Sequence, residues 1–194
     1  MLPLSETDFL DILRQSGALL EGHFILTSGL HSPQYIEKFR VLEQPRYTEM
    51  LCRALAQRFD KQGVSVVVGP MTGGIILAYE IGKQLGTKAI FTERIDGKMK
   101  FRRGFSLSQS DRVLLVEDII TTGGSVNEVI EAVQDTGATI VGLGFLVDRS
   151  GGKVTFPIPS SPLLTLNVVT YPPENCPLCA GGSVAIKPGS SGKK

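Results

Sequence analysis

Between Val64 and Asp148, short strand-like runs alternate with segments of helical periodicity, and this alternation constrains the fold more than any other feature of the chain. VSVVVGP is apolar almost throughout, as a strand buried on both faces must be. GGIILAYEIGKQLG then reads as a helix, KAIFTER and VLLVED as strands, GSVNEVIEAVQDTG as a helix and ATIVGLGFLVD as a further strand. Upstream, RYTEMLCRALAQRFDK spaces Met50, Leu51, Leu55 and Phe59 at helical intervals and ends near Gly63. Such a series buries its apolar faces as a mainly parallel, twisted sheet with helices on both faces, an α/β fold.

The flanking segments carry different signals. Ser5 precedes the acids and apolar residues of SETDFLDILRQSG, which predicts a capped amphipathic helix stopping at Gly17. LLEGHFILTSGLHSPQYIEKFR reads as two short strands around a polar loop, a candidate ligand contact. The segment from Glu93 to Asp111, ERIDGKMKFRRGFSLSQSD, reads as a long, basic, mobile connection, and the Pro/Gly/Ser-rich tail from Pro172 as ending in a flexible stretch.

A chain of 194 residues, 42% of them hydrophobic, suffices for one domain. Its formal charge of +1 gives no electrostatic case for nucleic acid or an anionic membrane as main partner. No segment approaches the ~20 apolar residues of a membrane helix, and MLPLSETDFLDILRQSG lacks the charge pattern of a secretory signal. Three cysteines, an odd number, fit a reducing cytoplasm better than a disulfide scaffold.

The chemistry concentrates in VLLVEDIITTGGS, Val113 to Ser125. Glu117 and Asp118 fall at the carboxyl end of a central strand, where open α/β sheets bind ligands. The turn Thr121, Thr122, Gly123, Gly124 and Ser125 leads into a helix, and its amides and hydroxyls make a receptacle for a phosphate dianion. Carboxylates beside a phosphate nest make sense if they accept hydrogen bonds from hydroxyls of the same ligand, or hold a cation. A ribose 5-phosphate meets that condition. The plainer alternative is a helix cap and an ordinary βα turn, for which one acid is enough. No G-x-x-x-x-G-K-[ST] or G-x-G-x-x-G run is present, which argues against a P-loop or a dinucleotide turn.

An apolar strand, two acids, two apolar residues and T-T-G-G-S resemble the phosphoribosyl pyrophosphate (PRPP) motif of the type I phosphoribosyltransferases. HFILTSGLHSPQYI, GPMTGGIILAYEIGKQLG and FLVDRSGG narrow the resemblance to the orotate phosphoribosyltransferase family, from about Leu19 to Gly152. The resemblance implies a type I phosphoribosyltransferase fold: one domain over 1–194, with a hood and base-recognition segment at 1–40, a core at 41–171 and the tail at 172–194. It implies transfer of the 5-phosphoribosyl group from PRPP to orotate in pyrimidine biosynthesis. Glu117, Asp118, Ile119, Ile120, Thr121, Thr122, Gly123, Gly124 and Ser125 would bind PRPP. Thr121 and Arg149 would bind orotate, a guanidinium meeting a carboxylate bidentately; otherwise Arg149 is a surface ion-pair partner.

The segment Glu93 to Phe105 corresponds to the family's catalytic loop, which closes over the neighbouring subunit of a homodimer; Lys98, Lys100 and Arg94 are its candidate catalytic cations. A solvated charge run is the bland alternative. Mg2+ is the implied cofactor, carried on the diphosphate with no dedicated protein metal site. Three positions depart from the family pattern: Thr72 and Gly73 stand where many members have an aromatic residue and a lysine, and Thr27 where a lysine is common. These leave open a different acceptor base or a PRPP-sensing regulator. Cys176 and Cys179 in NCPLC have zinc-knuckle spacing but no second pair of cysteines in the chain, so the expectations are an ordinary thiol pair, a redox pair, or a zinc shared between subunits. Cys52 reads as core, and His23 and His31 as solvent-exposed, with His31 the candidate to approach substrate.

Overall fold

The computed structural model describes residues 4–188. α1 (Glu6–Gln15) opens on a full capping box: the Ser5 hydroxyl accepts the Asp8 amide, and the Asp8 carboxylate accepts the Ser5 amide. β1 (Leu19–Ile25) and β2 (His31–Ile36) pair antiparallel as a separate two-stranded sheet. α2 (Phe39–Leu42) and α3 (Pro45–Phe59) lead into β3 (Val66–Pro70), α4 (Gly73–Leu85), β4 (Lys88–Ile95) and β5 (Lys98–Phe101). Then come β6 (Arg112–Ile120), α5 (Gly124–Gln134), β7 (Thr139–Asp148), β8 (Ser160–Thr165) and a one-turn α6 (Pro177–Ala180).

The main sheet has the order β5-β4-β3-β6-β7-β8, parallel throughout except for the β4–β5 hairpin at its edge. Side chains alternate across each strand, and β6 shows why a continuous apolar run is required there. Leu114 and Val116 face the layer of α1, α3 and α4, while Val113 and Leu115 face α5. β3 repeats this, with Val67 on the first face and Val66 and Val68 on the second. The twofold-covered sheet expected from the alternation is the observed one, and it aims the carboxyl ends of β3 and β6 at the same edge.

Two expectations need correction, and one strand had none. The segment from Glu93 to Asp111 is not one irregular connection: Thr92 to Ile95 pair with Lys98 to Phe101, with Asp96 and Gly97 as the tight turn. Pairing with β4 and the burial of Met99 against α5 outweigh the polarity of the neighbouring residues. β8, adjoining β7, has no counterpart in the sequence reading, because SSPLLT is short and contains a proline; the strand is the sheet's last, where a missing donor is tolerated. His23 and His31 are buried, not exposed, because the tail through Lys187 folds back over them. The end of the tail at 189–194, read as flexible, lies outside the described residues.

Candidate functional site

The site forms where β6 ends. Glu117 and Asp118 are both buried, at 9% and 2% exposure. The Glu117 Oε1 accepts the Asp118 amide at 2.9 Å, and the Asp118 Oδ1 accepts the Ile119 amide at 2.6 Å. Burial, reinforced by the charge of Asp118, pushes the Glu117 carboxyl up from 4.5 to about 8. Asp118 is held differently. Lys38, at the end of the β2–α2 connection, places its Nζ 2.8 Å from Oδ1 and 2.7 Å from Oδ2. The enclosed Oδ2 has that cation beside it but receives no directed hydrogen bond.

Space around Asp118 is tight for a reason visible at the start of α4. A Cβ on Gly73 would stand 1.8 Å from the Asp118 Oδ2, so this position of the 69–74 turn excludes any side chain while the carboxylate stays where it is. The departure from the family pattern at Gly73 thereby acquires a physical setting. Lys38, which no spacing in the sequence connects with Asp118, supplies a cation at that carboxylate.

The turn after β6 is built as its residue types require. Gly123 caps α5 with φ +77, in the left-handed region, and a Cβ there would meet Val154 at 2.9 Å and Phe156 at 3.0 Å. Thr121 and Thr122 are exposed beside it, next to the start of α5 and so near the positive end of its dipole. Ile119 lines the site, whereas the Ile120 side chain is buried in the core against α5; its carbonyl accepts the Arg149 amide at 2.8 Å.

Arg149 is presented by the turn after β7. Asp148 ties that turn down, accepting the Ser150 amide at 2.7 Å, the Ser150 hydroxyl at 2.7 Å and the Gly152 amide at 3.0 Å. Among the described residues no carboxylate pairs with the half-buried Arg149 guanidinium, which sets aside the surface ion-pair alternative. It lines a cavity of about 530 Å3 together with Thr121, Thr122, Lys153, Tyr35 and the Thr27–Ser28 loop of the hairpin. A second cavity of about 420 Å3 adjoins it through Tyr35, Thr121 and Arg149, and reaches Lys38, Thr72 and Ile119. The two together place the hydroxyls of Thr121 and Thr122, the Arg149 guanidinium and the Lys38 ammonium around one space, with the Glu117 and Asp118 carboxylates buried beside it at the end of β6.

The basic hairpin touches the site only through Arg94. Arg94 donates to Glu128 at 2.9 Å and to the Ser125 hydroxyl at 3.3 Å, beside the start of α5. Lys98 and Lys100 are exposed on β5, along a groove formed with Glu128, Glu131 and Asp135, and do not line either cavity of their own chain. Sequence reasoning missed Lys38, Tyr35 and Asp148; of these Tyr35 left a signal within HFILTSGLHSPQYI and Asp148 as the residue preceding Arg149 in VDRSGG.

Comparison with known proteins agrees with this geometry. Residues 40–155 match the phosphoribosyl transferase domain. The chain is 52% identical over 187 residues to an orotate phosphoribosyltransferase of Desulforamulus reducens, covering 96% of this chain and 98% of that one. It is 51% identical to that of Pelotomaculum thermopropionicum over the same shares. The crystal structure of orotate phosphoribosyltransferase from Aeropyrum pernix superposes with a TM-score of 0.65 at 28% identity, covering 80% of this chain and 92% of that one. With the acid pair, the 121–125 turn and the unpaired Arg149 at one sheet edge, the chain belongs to the phosphoribosyl transferase family and, within it, to the orotate phosphoribosyltransferases.

Proposed function

We propose that this chain transfers the 5-phosphoribosyl group of PRPP to orotate, giving orotidine 5'-phosphate and pyrophosphate in pyrimidine biosynthesis. The observation that carries the reading is that an Arg149 unpaired with any carboxylate among the described residues lines the same joined cavities as Thr121 and Thr122, directly beyond the buried Glu117 and Asp118 at the end of β6. The turn takes the 5-phosphate on its amides and hydroxyls, the acid pair takes the ribose hydroxyls, and Thr121 and Arg149 orient orotate, the guanidinium on its carboxylate. A nitrogen of orotate then forms a bond to the anomeric carbon as the carbon–oxygen bond to pyrophosphate breaks. The bonding pair leaves with pyrophosphate while positive charge develops on the ribose, close to the two acids.

Mg2+ fits this site as an ion brought by the substrate. Asp118 is already engaged by Lys38, and the grouping of potential ligands found among the described residues is a cysteine–histidine set unsuited to a hard cation. The ion would be held by diphosphate oxygens and water, and would neutralise charge on the leaving group.

Arg94, Lys98 and Lys100 are the proposed catalytic cations. Their absence from both cavities of their own chain favours action on a neighbouring subunit, with the 93–105 segment closing over the site of a homodimer. The chain works as one domain of hood 1–40, core 41–171 and tail 172–194, in the cytoplasm. No helix among the described residues is long and apolar enough to cross a membrane.

Purified protein supplied with PRPP, Mg2+ and, in turn, orotate, uracil, hypoxanthine or adenine tests the reading. Equimolar release of pyrophosphate and nucleotide with orotate alone is expected. Turnover confined to another base would overturn the acceptor, and no turnover with any base would overturn the reaction.

A further inference from the structure

The chain beyond β8 returns to the hood. His31 and Tyr171 exchange backbone hydrogen bonds at 2.8 Å in both directions. Further on, Ile186 donates to the His23 carbonyl at 2.9 Å and accepts the Ile25 amide at 2.8 Å. Between these two clamps the NCPLC segment lies against the β1–β2 hairpin. Pro177 begins α6, so Cys176 stands at its N-cap and Cys179 within its single turn, a spacing of three that turns both thiols to one side.

Those thiols meet the two histidines of the hairpin. The His23 Nε2 lies 2.9 Å from the His31 Nδ1, 3.4 Å from the Cys176 Sγ and 3.8 Å from the Cys179 Sγ. The Cys179 Sγ is 3.3 Å from the His31 Nδ1, and one ligand atom from each of the four side chains falls within 4.8 Å of the others. A tetrahedron with Zn–N bonds of about 2.0–2.1 Å and Zn–S bonds of about 2.3 Å has edges of roughly 3.3–3.8 Å. The observed spacings bracket those edges. The outer nitrogen of one ring is also set: His23 Nδ1 is 3.1 Å from the Ser183 carbonyl, which requires a proton on Nδ1 and leaves the Nε2 lone pair facing the cluster.

We propose that His23, His31, Cys176 and Cys179 form a structural zinc site within a single chain. Four protein ligands close the coordination sphere and leave no position for substrate, which makes the site structural. Two thiolates balance the charge of a divalent ion, so that a site with three buried ligands carries no net charge. Thiolate and imidazole donors select zinc over magnesium or calcium. The second ligand pair is the histidine pair, 145 or more residues away in sequence from the cysteines but brought to them by the returning tail, so no second subunit is needed. The metal pins the tail to the hairpin whose Thr27–Ser28 loop walls the 530 Å3 cavity.

The test uses the full chain, produced in zinc-supplemented medium and purified without chelator. Elemental analysis is expected to find about one zinc per chain, falling below about 0.1 in Cys176→Ser/Cys179→Ser. Because that variant can lose the metal by misfolding, the wild-type chain is also exchanged into cobalt. The expected spectrum has thiolate-to-cobalt charge transfer in the near ultraviolet and tetrahedral bands in the visible. A wild-type chain with no zinc and no such spectrum, zinc retained in the double variant, or a Cys176–Cys179 disulfide in the purified protein would each overturn the proposal.

Discussion

Glu117 is an acid whose ionisation the fold opposes, and the consequence is measurable. Its carboxyl is raised from 4.5 to about 8, chiefly by burial and then by the neighbouring Asp118. The folded chain therefore keeps a proton that the unfolded chain releases, and the associated stability is full below 4.5 and is lost as pH rises through about 8. Thermal melts across this window should show the wild-type chain losing stability with rising pH, with Glu117→Gln following a flatter course. Parallel profiles would mean that Glu117 ionises normally in the folded protein. Arg149 makes a complementary prediction. Loss of a hydrogen bond to a charged partner is equivalent to about 1.5–3 kcal/mol, so Arg149→Ala should lower kcat/KM for orotate roughly 10- to 150-fold. An unchanged kcat/KM would remove this arginine from base recognition.

At the scale of elements, the start of α4 and the start of α5 give opposite responses to the same small change. Gly73→Ala drives a methyl group into the Asp118 carboxylate and should destabilise the chain by about 1–3 kcal/mol, measured by denaturant unfolding, with loss of activity. Gly124→Ala meets nothing closer than the Thr122 hydroxyl at 3.9 Å, and should stay within about 0.5 kcal/mol of wild type. Equal effects would contradict the packing at Asp118. The hairpin of β4 and β5 makes a kinetic prediction: Lys98→Ala or Lys100→Ala should slow turnover by roughly 10²-fold while nucleotide affinity changes little. Trivial effects of both substitutions would take the hairpin out of the mechanism.

These elements were unequally legible in the sequence. The buried strands and the TTGGS turn announce themselves because their requirements are local: apolar runs, capping residues, a glycine at positive φ. The β4–β5 pairing was hidden because the contacts that fix it, Glu128 of α5 and the α5 face that buries Met99, lie outside the polar segment itself. Lys38 was hidden for the same kind of reason, being 80 residues from the carboxylate it holds.

At the scale of the molecule, a sheet edge shared by β3, β6 and β7 gathers the acids, the 121–125 turn and Arg149, while the β1–β2 hairpin and the 167–170 segment close one wall. Lys98 and Lys100, proposed as catalytic, lie on a groove apart from those cavities, so the assembly itself is testable. Mixing Lys98→Ala/Lys100→Ala chains with Arg149→Ala chains should restore about a quarter of wild-type activity, since half the dimers are mixed and each mixed dimer has one intact site. No recovery in demonstrably mixed dimers would place the hairpin and the pocket in the same chain's site. The histidines belong to this scale too. Each looks like a solvated loop residue until the tail returns from residue 171 and buries it.

The decisive measurement is orotate consumption, followed by its ultraviolet absorbance, for the wild-type chain and Asp118→Asn, each with PRPP and with or without Mg2+. The wild-type chain should consume orotate only with both PRPP and Mg2+, and Asp118→Asn should lose at least about 10²-fold in kcat/KM while its melting curve remains cooperative. Full turnover by a folded Asp118→Asn chain, or no orotate consumption by the wild type, would contradict the assignment of this sheet edge as the phosphoribosyl-transfer site.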